Sequence, residues 1–109
     1  MNAELATRYS SQQLEHILEE ALIYMCACPA QVSEQLLQLR KLFAYQKNCI
    51  SKVAPMPEVH QLIADATRKA HAELEQCLCD VLQMEGWDLQ TLTMPAGLRQ
   101  LRQQSTDQD

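Results

Sequence analysis

Apolar residues recur at helical spacing along most of this chain, and proline residues mark the breaks between segments. The first run begins at Leu14, follows steps of three and four residues and so lies on one face of a helix. Its members are Leu14, Ile17, Leu18, Ala21, Leu22, Met25 and Cys28. Ser10 and Gln13 fit a capping box at the start, and Pro29 disfavours helical geometry at Cys28. The pattern predicts a first helix over about residues 10–27.

The second segment carries a heptad-like stripe that is unusually wide. Pro29 suits the first position of a helix, which makes Cys28 the expected N-cap. The stripe consists of Val32, Leu36, Leu39, Phe43, Gln46 and Ile50, at alternating steps of 4 and 3 residues. It is widened by Leu37, Leu42, Tyr45 and Cys49. We predict a helix over 29–52 whose apolar face contacts two neighbouring helices and a second subunit.

The third segment follows Pro55 and opens at Pro57. One face is formed by Val59, Ile63, Ala66, Ala70, Leu74, Cys77, Val81 and Met84. This spacing predicts a helix over 57–85 with these residues facing the core. Gly86 is placed to cap its C-terminus.

The residues after Gly86 predict a closing piece at the end of the bundle. Asp88 is expected to cap a short turn, and Trp87 to pack this piece onto the bundle. A short last helix is predicted over 95–104, carrying Leu98 and Leu101, with a frayed tail at 105–109. Short connections favour antiparallel neighbours. The expected fold is therefore one all-α domain over 1–109, an up-down-up three-helix bundle that the C-terminal helix makes four-helix-like.

Composition and charge narrow the functional classes. Gly is scarce, aromatic residues make up 5% and the net charge is −5. Residues 53–109 carry nine acidic and four basic side chains, while residues 1–52 carry five of each. Nucleic-acid binding needs clustered Lys and Arg, so we expect no nucleic-acid partner. The longest apolar run is too short to cross a bilayer and the N-terminal segment is polar, which favours a cytoplasmic protein without a membrane partner.

Common catalytic motifs are absent from the sequence, which argues against an enzyme. No phosphate-binding glycine loop, H-E-x-x-H or G-x-S-x-G pattern occurs. His16 and His71 each precede a glutamate by one helical turn, at Glu20 and Glu75. Because neither histidine lies on a predicted apolar stripe, both pairs are expected to be exposed.

Five cysteines offer the main chemical alternative. Cys26 and Cys28 form one C-x-C pair, Cys77 and Cys79 form another, and Cys49 stands alone. Residues two apart on a helix diverge by about 200°, which argues against a four-thiolate cage. Of the second pair, only Cys77 lies on the predicted core stripe.

In the antiparallel layout Cys77 returns level with Cys28, and a helix N-terminus stabilises a thiolate there. The remaining sulfur groups near this pair are Met25, Met84, Cys26 and Cys79. Simple packing of the thiols is the main interpretation. The alternative is a Cu(I), zinc or redox site formed by Cys28 and Cys77. No other cofactor is expected.

The sequence thus favours a small cytoplasmic, non-catalytic helical module for protein–protein interaction. The wide apolar face of the second helix favours a homodimer, together with an unidentified protein partner. The alternative class is the thiol-based metal or redox protein that uses Cys28 and Cys77.

Overall fold

Three α-helices account for most of the chain in a computed structural model, which describes residues 4–21, 28–51 and 56–95. Helix α1 spans Ser11–Ala21, α2 spans Cys28–Ser51 and α3 spans Pro57–Met84. The all-α class expected from composition and periodicity is confirmed. Helix α2 includes Cys28 as its first residue, one position earlier than expected.

The start of α1 shows the predicted capping box. The Ser10 backbone N–H donates to Oε1 of Gln13 at 2.8 Å, and the Gln13 N–H donates to Oγ of Ser10 at 3.0 Å. These reciprocal bonds satisfy two backbone donors that the helix cannot pair internally. The first turn of α1 is therefore fixed by its own sequence.

Helix α2 lies between the other two helices and packs against both. Gln46 of α2 contacts His60 of α3, whereas Arg40 contacts His71, so the two helices run antiparallel. Ser11, at the start of α1, bonds to Arg40 in the middle of α2, while the other end of α1 leads into the start of α2. Among the described helices, the backbone of α1 approaches α2 and stays away from α3.

The core joins these helices to the segments that flank them. Its most deeply buried apolar side chains are Leu14, Ile17, Leu36, Leu78 and Leu82. Tyr9, before α1, and a group after α3 belong to the same cluster: Trp87, Leu92 and Met94. The residues predicted to form the apolar face of α1 are buried or half-buried from Leu14 to Ala21. The residues of the predicted α2 stripe are buried or half-buried as well.

The prediction of which face of α3 is buried is wrong: the buried residues each lie one position later in the sequence. We define the buried line of α3 as Ala64, Thr67, His71, Glu75, Leu78 and Leu82. We define the outer stripe as the predicted set Val59, Ile63, Ala66, Ala70, Leu74, Cys77, Val81 and Met84. Its members are exposed or only half-buried, and Met84 is 87% exposed. A shift of one residue rotates a helix by about 100°, so α3 turns most of its apolar stripe outward.

Helix α3 ends in a Schellman motif with Gly86 at the left-handed position, φ +78°. The Trp87 N–H donates to the Leu82 carbonyl at 2.9 Å, and the Gly86 N–H donates to the Gln83 carbonyl at 3.1 Å. Trp87 is buried in the core cluster, as expected. The predicted C-cap role of Gly86 is confirmed.

A tight turn over residues 88–93 follows this cap. The carboxylate of Asp88 accepts the backbone N–H groups of Gln90 and Thr91 at 2.9 and 3.0 Å. These bonds hold the pKa of Asp88 below its usual value. The predicted capping role of Asp88 is therefore confirmed. Three predictions concern segments outside the described residues, apart from Pro95. They are the end of the first helix beyond Ala21, the C-terminal helix over 95–104 and the tail at 105–109.

Replacing Gly86 tests the Schellman cap. The Gly86→Ala variant is expected to lower the free energy of unfolding by about 1 kcal/mol, because a Cβ disfavours positive φ. The nearest atom to that Cβ, in Pro95, lies 3.9 Å away, so backbone conformation and not crowding sets the effect. Gly86→Asn is the control and should cost less, since Asn tolerates this conformation. Urea unfolding that shows equal stability for wild type and Gly86→Ala would contradict this account.

Candidate functional site

A buried polar cluster joins both long helices to the start of the chain, and Arg40 of α2 lies at its centre. The Arg40 Nε–H donates to Nε2 of His71 at 3.0 Å, and Nη1 donates to Oγ of Ser11 at 2.9 Å. Nη2 donates to the Tyr9 carbonyl and contacts Oε2 of Glu75 at 3.3 Å. One guanidinium therefore binds α1, α3 and the segment that precedes α1.

Glu75 completes the cluster by accepting backbone donors. Its Oε2 accepts the N–H groups of Arg8 and Tyr9 at 2.8 and 3.1 Å. Arg40 and Glu75 thus hold the carbonyl and the amide of Tyr9 from opposite sides. A buried carboxylate is stable only when it is paired and hydrogen-bonded, and Glu75 meets both conditions.

The Tyr9 side chain anchors the same segment in the core. It is 8% exposed, and burial followed by its hydrogen bond with Cys79 raises the pKa of Tyr9 to about 12. The phenol therefore stays neutral at physiological pH. Residues 4–10 are thereby fixed at one end by backbone bonds and by an apolar ring.

His71 has no exposed surface, and its contacts determine its protonation. Because Nε2 accepts from Arg40, the ring is neutral and carries its proton on Nδ1. Nδ1 lies 3.8 Å from Oε1 of Glu75, too far for a hydrogen bond. Burial lowers the pKa of His71 from 6.5; the Glu75 carboxylate opposes this shift and the Arg40 guanidinium adds to it. The ring has no surface open to solvent, and its contact with Arg40 joins α3 to α2.

The prediction that His71 and Glu75 form an exposed pair is wrong. Both are buried because Arg40 supplies a charge and donors from the facing helix. The pair of His16 and Glu20 also differs from expectation: Glu20 is 8% exposed and accepts the Met94 N–H at 3.2 Å, while His16 is half-buried. Each glutamate binds backbone of a non-helical segment, a role that periodicity alone does not reveal.

One signal for the buried cluster was present in the sequence. His71 and Glu75 are in helical register with Leu78 and Leu82, and Arg40 lies next to the apolar stripe of the preceding helix. A cation and an acid on facing helices can be buried together. Apolar spacing nevertheless favoured the outer stripe, because its members are more uniformly hydrophobic.

The outer stripe is the candidate interaction surface. Ala66, Ala70 and Cys77 are exposed in its middle, and Leu62, at its edge, is 70% exposed. Further apolar side chains are exposed near the start of α3 and on the facing part of α2: Leu42, Tyr45, Met56 and Val59. Clusters of exposed apolar side chains often mark binding surfaces in proteins.

The predicted thiol pair lies at two exposed positions. Cys28 is exposed at the start of α2, and Cys77 is exposed on the outer stripe, which corrects its placement in the core. Cys79 is instead the half-buried member of its pair and packs against the core cluster. Met84 is exposed as well, whereas Met25 and Cys26 fall outside the described residues. Within residues 4–21, 28–51 and 56–95, no group of three or more His, Cys, Asp and Glu side chains is arranged to hold a metal ion.

A shallow groove lies beside His16. It is lined by Gln13 and His16 of α1 and by Gln90, Thr91 and Leu92 of the turn after α3. Nε2 of His16 is buried there and makes no hydrogen bond. Among the described residues that line the groove, His16 is the titratable one.

Comparisons with known proteins do not assign a family. No family model matches the chain, and neither a curated protein nor a solved structure is significantly similar to it. None of the described helices is long and apolar enough to cross a lipid bilayer.

The pH dependence of stability tests the buried state of His71. With its pKa lowered on folding, His71 binds fewer protons in the folded than in the unfolded chain below about pH 6.5. The free energy of unfolding should therefore fall as pH decreases from 6.5, by up to about 1.4 kcal/mol per pH unit from this residue. His71→Gln keeps an acceptor for Arg40 and removes the titration, so its slope should be shallower. Identical slopes for the two proteins in urea unfolding between pH 5 and 7 would contradict a buried neutral His71.

Proposed function

We propose that this chain is a small, non-catalytic helical module that binds protein partners through the outer stripe of α3. The observation that carries the proposal is the one-residue rotation of α3, which leaves the members of an apolar stripe along the helix exposed or only half-buried. In an isolated helical bundle, the most apolar face of a helix normally packs in the core. Here polar groups occupy the buried line, and the apolar face remains available.

The distribution of exposed apolar residues supports this assignment. Of the seven large hydrophobic side chains exposed in the described residues, three lie on α3, two on α2, one just before α3 and one in the turn after α3; they are Val59, Leu62, Met84, Leu42, Tyr45, Met56 and Leu89. Of the described helices, only α2 comes close to the backbone of α3, and it packs on the side of the buried line, so no described helix covers the outer stripe. A partner helix is the simplest element that fits such a face.

The buried polar groups support a non-catalytic role. The Arg40, His71 and Glu75 side chains bind one another and the backbone at Arg8 and Tyr9. Their positions stabilise the fold and do not present a reactive group to solvent. A thiol role for Cys28 and Cys77 remains a prediction, since no observation places those two side chains together.

Site-specific photo-cross-linking in cells of the source organism tests the interface. A diazirine amino acid at Ala70 lies on the outer stripe, and the same group at Ala72 points about 160° away on the same helix. Both alanines are exposed, so neither substitution disturbs the core. We expect discrete adducts from position 70, with the attached protein identified by mass spectrometry, and none of these from position 72. Equal adducts from both positions, or none from either, would contradict the proposal.

A further inference from the structure

We infer that the partner of the outer stripe is a second copy of this chain, whose α3 packs antiparallel against the first around a twofold axis between His71 and Ala72. This inference rests on the proposed function, because it names the occupant of that surface. Three observations carry it: the spacing of the stripe, the sizes of its residues and the charges at its edge.

The spacing of the outer stripe is nearly the same read in either direction. Turning α3 end for end about the point between His71 and Ala72 exchanges Val59 with Met84 and Ala66 with Cys77. About the same point, Ile63 comes within one residue, about 1.5 Å along the axis, of the level of Val81, and Ala70 comes equally near the level of Leu74. A twofold contact requires a surface to be complementary to itself in this way. The whole of α3, 28 residues or about 42 Å, takes part.

The residue sizes in this register are complementary. Ala66 of one copy lies opposite Cys77 of the other, and nearer the axis Ala70 lies within one residue of the level of Leu74. A small residue facing a larger one lets two helices approach closely and interdigitate. The larger residues, Val59 and Met84, meet each other at the two ends. Ala70 and Ala66 are exposed in the single chain, so the contact needs no repacking of its core.

Charged residues at the edge of the stripe favour the antiparallel direction. Lys69 and Glu73 are both exposed and lie on the same edge of α3. In the antiparallel pair, Lys69 of each copy lies within one residue of the level of Glu73 of the other, about 1.5 Å along the helix axis, which allows two symmetric ion pairs. A parallel pair brings equivalent residues to the same level and loses this match. Flanking charges of this kind select orientation in helix pairs.

Sedimentation of the full chain tests the assembly. At micromolar concentration, wild type should sediment at about twice its mass of 12.4 kDa. Ala70→Glu buries two carboxylates beside the axis and should weaken association at least about 100-fold. Ala44→Glu is the matched control, because Ala44 is exposed on α2, and its mass should remain that of wild type. Circular dichroism should show equal helix content in all three proteins, since both alanines are exposed.

Chemical cross-linking tests the register. Ala66→Cys should be joined to Cys77 of the second copy by a short bis-maleimide, and peptide mapping should identify that pair. Within one chain the two positions are about 16 Å apart along α3, beyond the reach of such a reagent. Cross-linking of Cys77 to Cys77 in wild type would indicate a parallel pair and overturn the inference.

A charge exchange tests the edge contacts. Lys69→Glu should weaken the dimer roughly tenfold, since two attractive pairs become repulsive. The double variant Lys69→Glu with Glu73→Lys should restore the wild-type affinity. Equal affinities for the single and double variants would overturn the antiparallel register.

The experiments distinguish failure of the second-copy inference from failure of the interaction-module proposal. A wild-type monomer at micromolar concentration overturns the second-copy inference, whatever else covers the stripe. If that monomer still yields identified adducts with another protein from position 70, the interaction module stands. A dimer that Ala70→Glu leaves intact overturns the inference as well, because its interface then lies elsewhere.

Discussion

The guanidinium of Arg40 is the interaction on which the arrangement of this molecule depends. It binds His71 and Glu75 on α3, Ser11 on α1 and the backbone of Tyr9. These groups come from three parts of the chain: α3, the start of α1 and the segment before it. Removing one partner from a buried ion pair costs about 3–5 kcal/mol, because the other charge then stays buried alone. The cluster therefore fixes both the rotation of α3 and the path of the chain into α1.

The rotation of α3 connects the cluster to the proposed function. If the outer stripe faced α2, His71 and Glu75 would turn towards solvent, and Arg40 would lose its acceptors. The Arg8 and Tyr9 N–H groups would also lose their carboxylate. The structure keeps the polar cluster inside and leaves the more hydrophobic stripe at the surface. Helix α3 thus has two packing faces: the buried line packs within the chain, and the outer stripe is available to a partner.

Much of the fold could be predicted from the sequence, because local signals decided it. The capping box of Ser10, the stripes of α1 and α2, the Gly86 cap and the Asp88 turn each depend on residues close in sequence. The buried face of α3 could not be predicted in this way, since it depends on Arg40, 31 residues before His71. Apolar periodicity found the stripe correctly but assigned it to the wrong side of the molecule. The same error placed Cys77 in the core, whereas Cys79 is the half-buried thiol.

The protonation site of His71 tests the account most directly, because it reports the bond that sets the rotation of α3. Long-range ¹H–¹⁵N correlation spectra of the imidazole ring distinguish its two neutral forms. The Arg40 contact predicts the Nδ1–H form at neutral pH, with Nε2 unprotonated and accepting a hydrogen bond. An Nε2–H ring, or a ring that exchanges between both forms as a solvated histidine does, would contradict the buried cluster and the orientation of the outer stripe that follows from it.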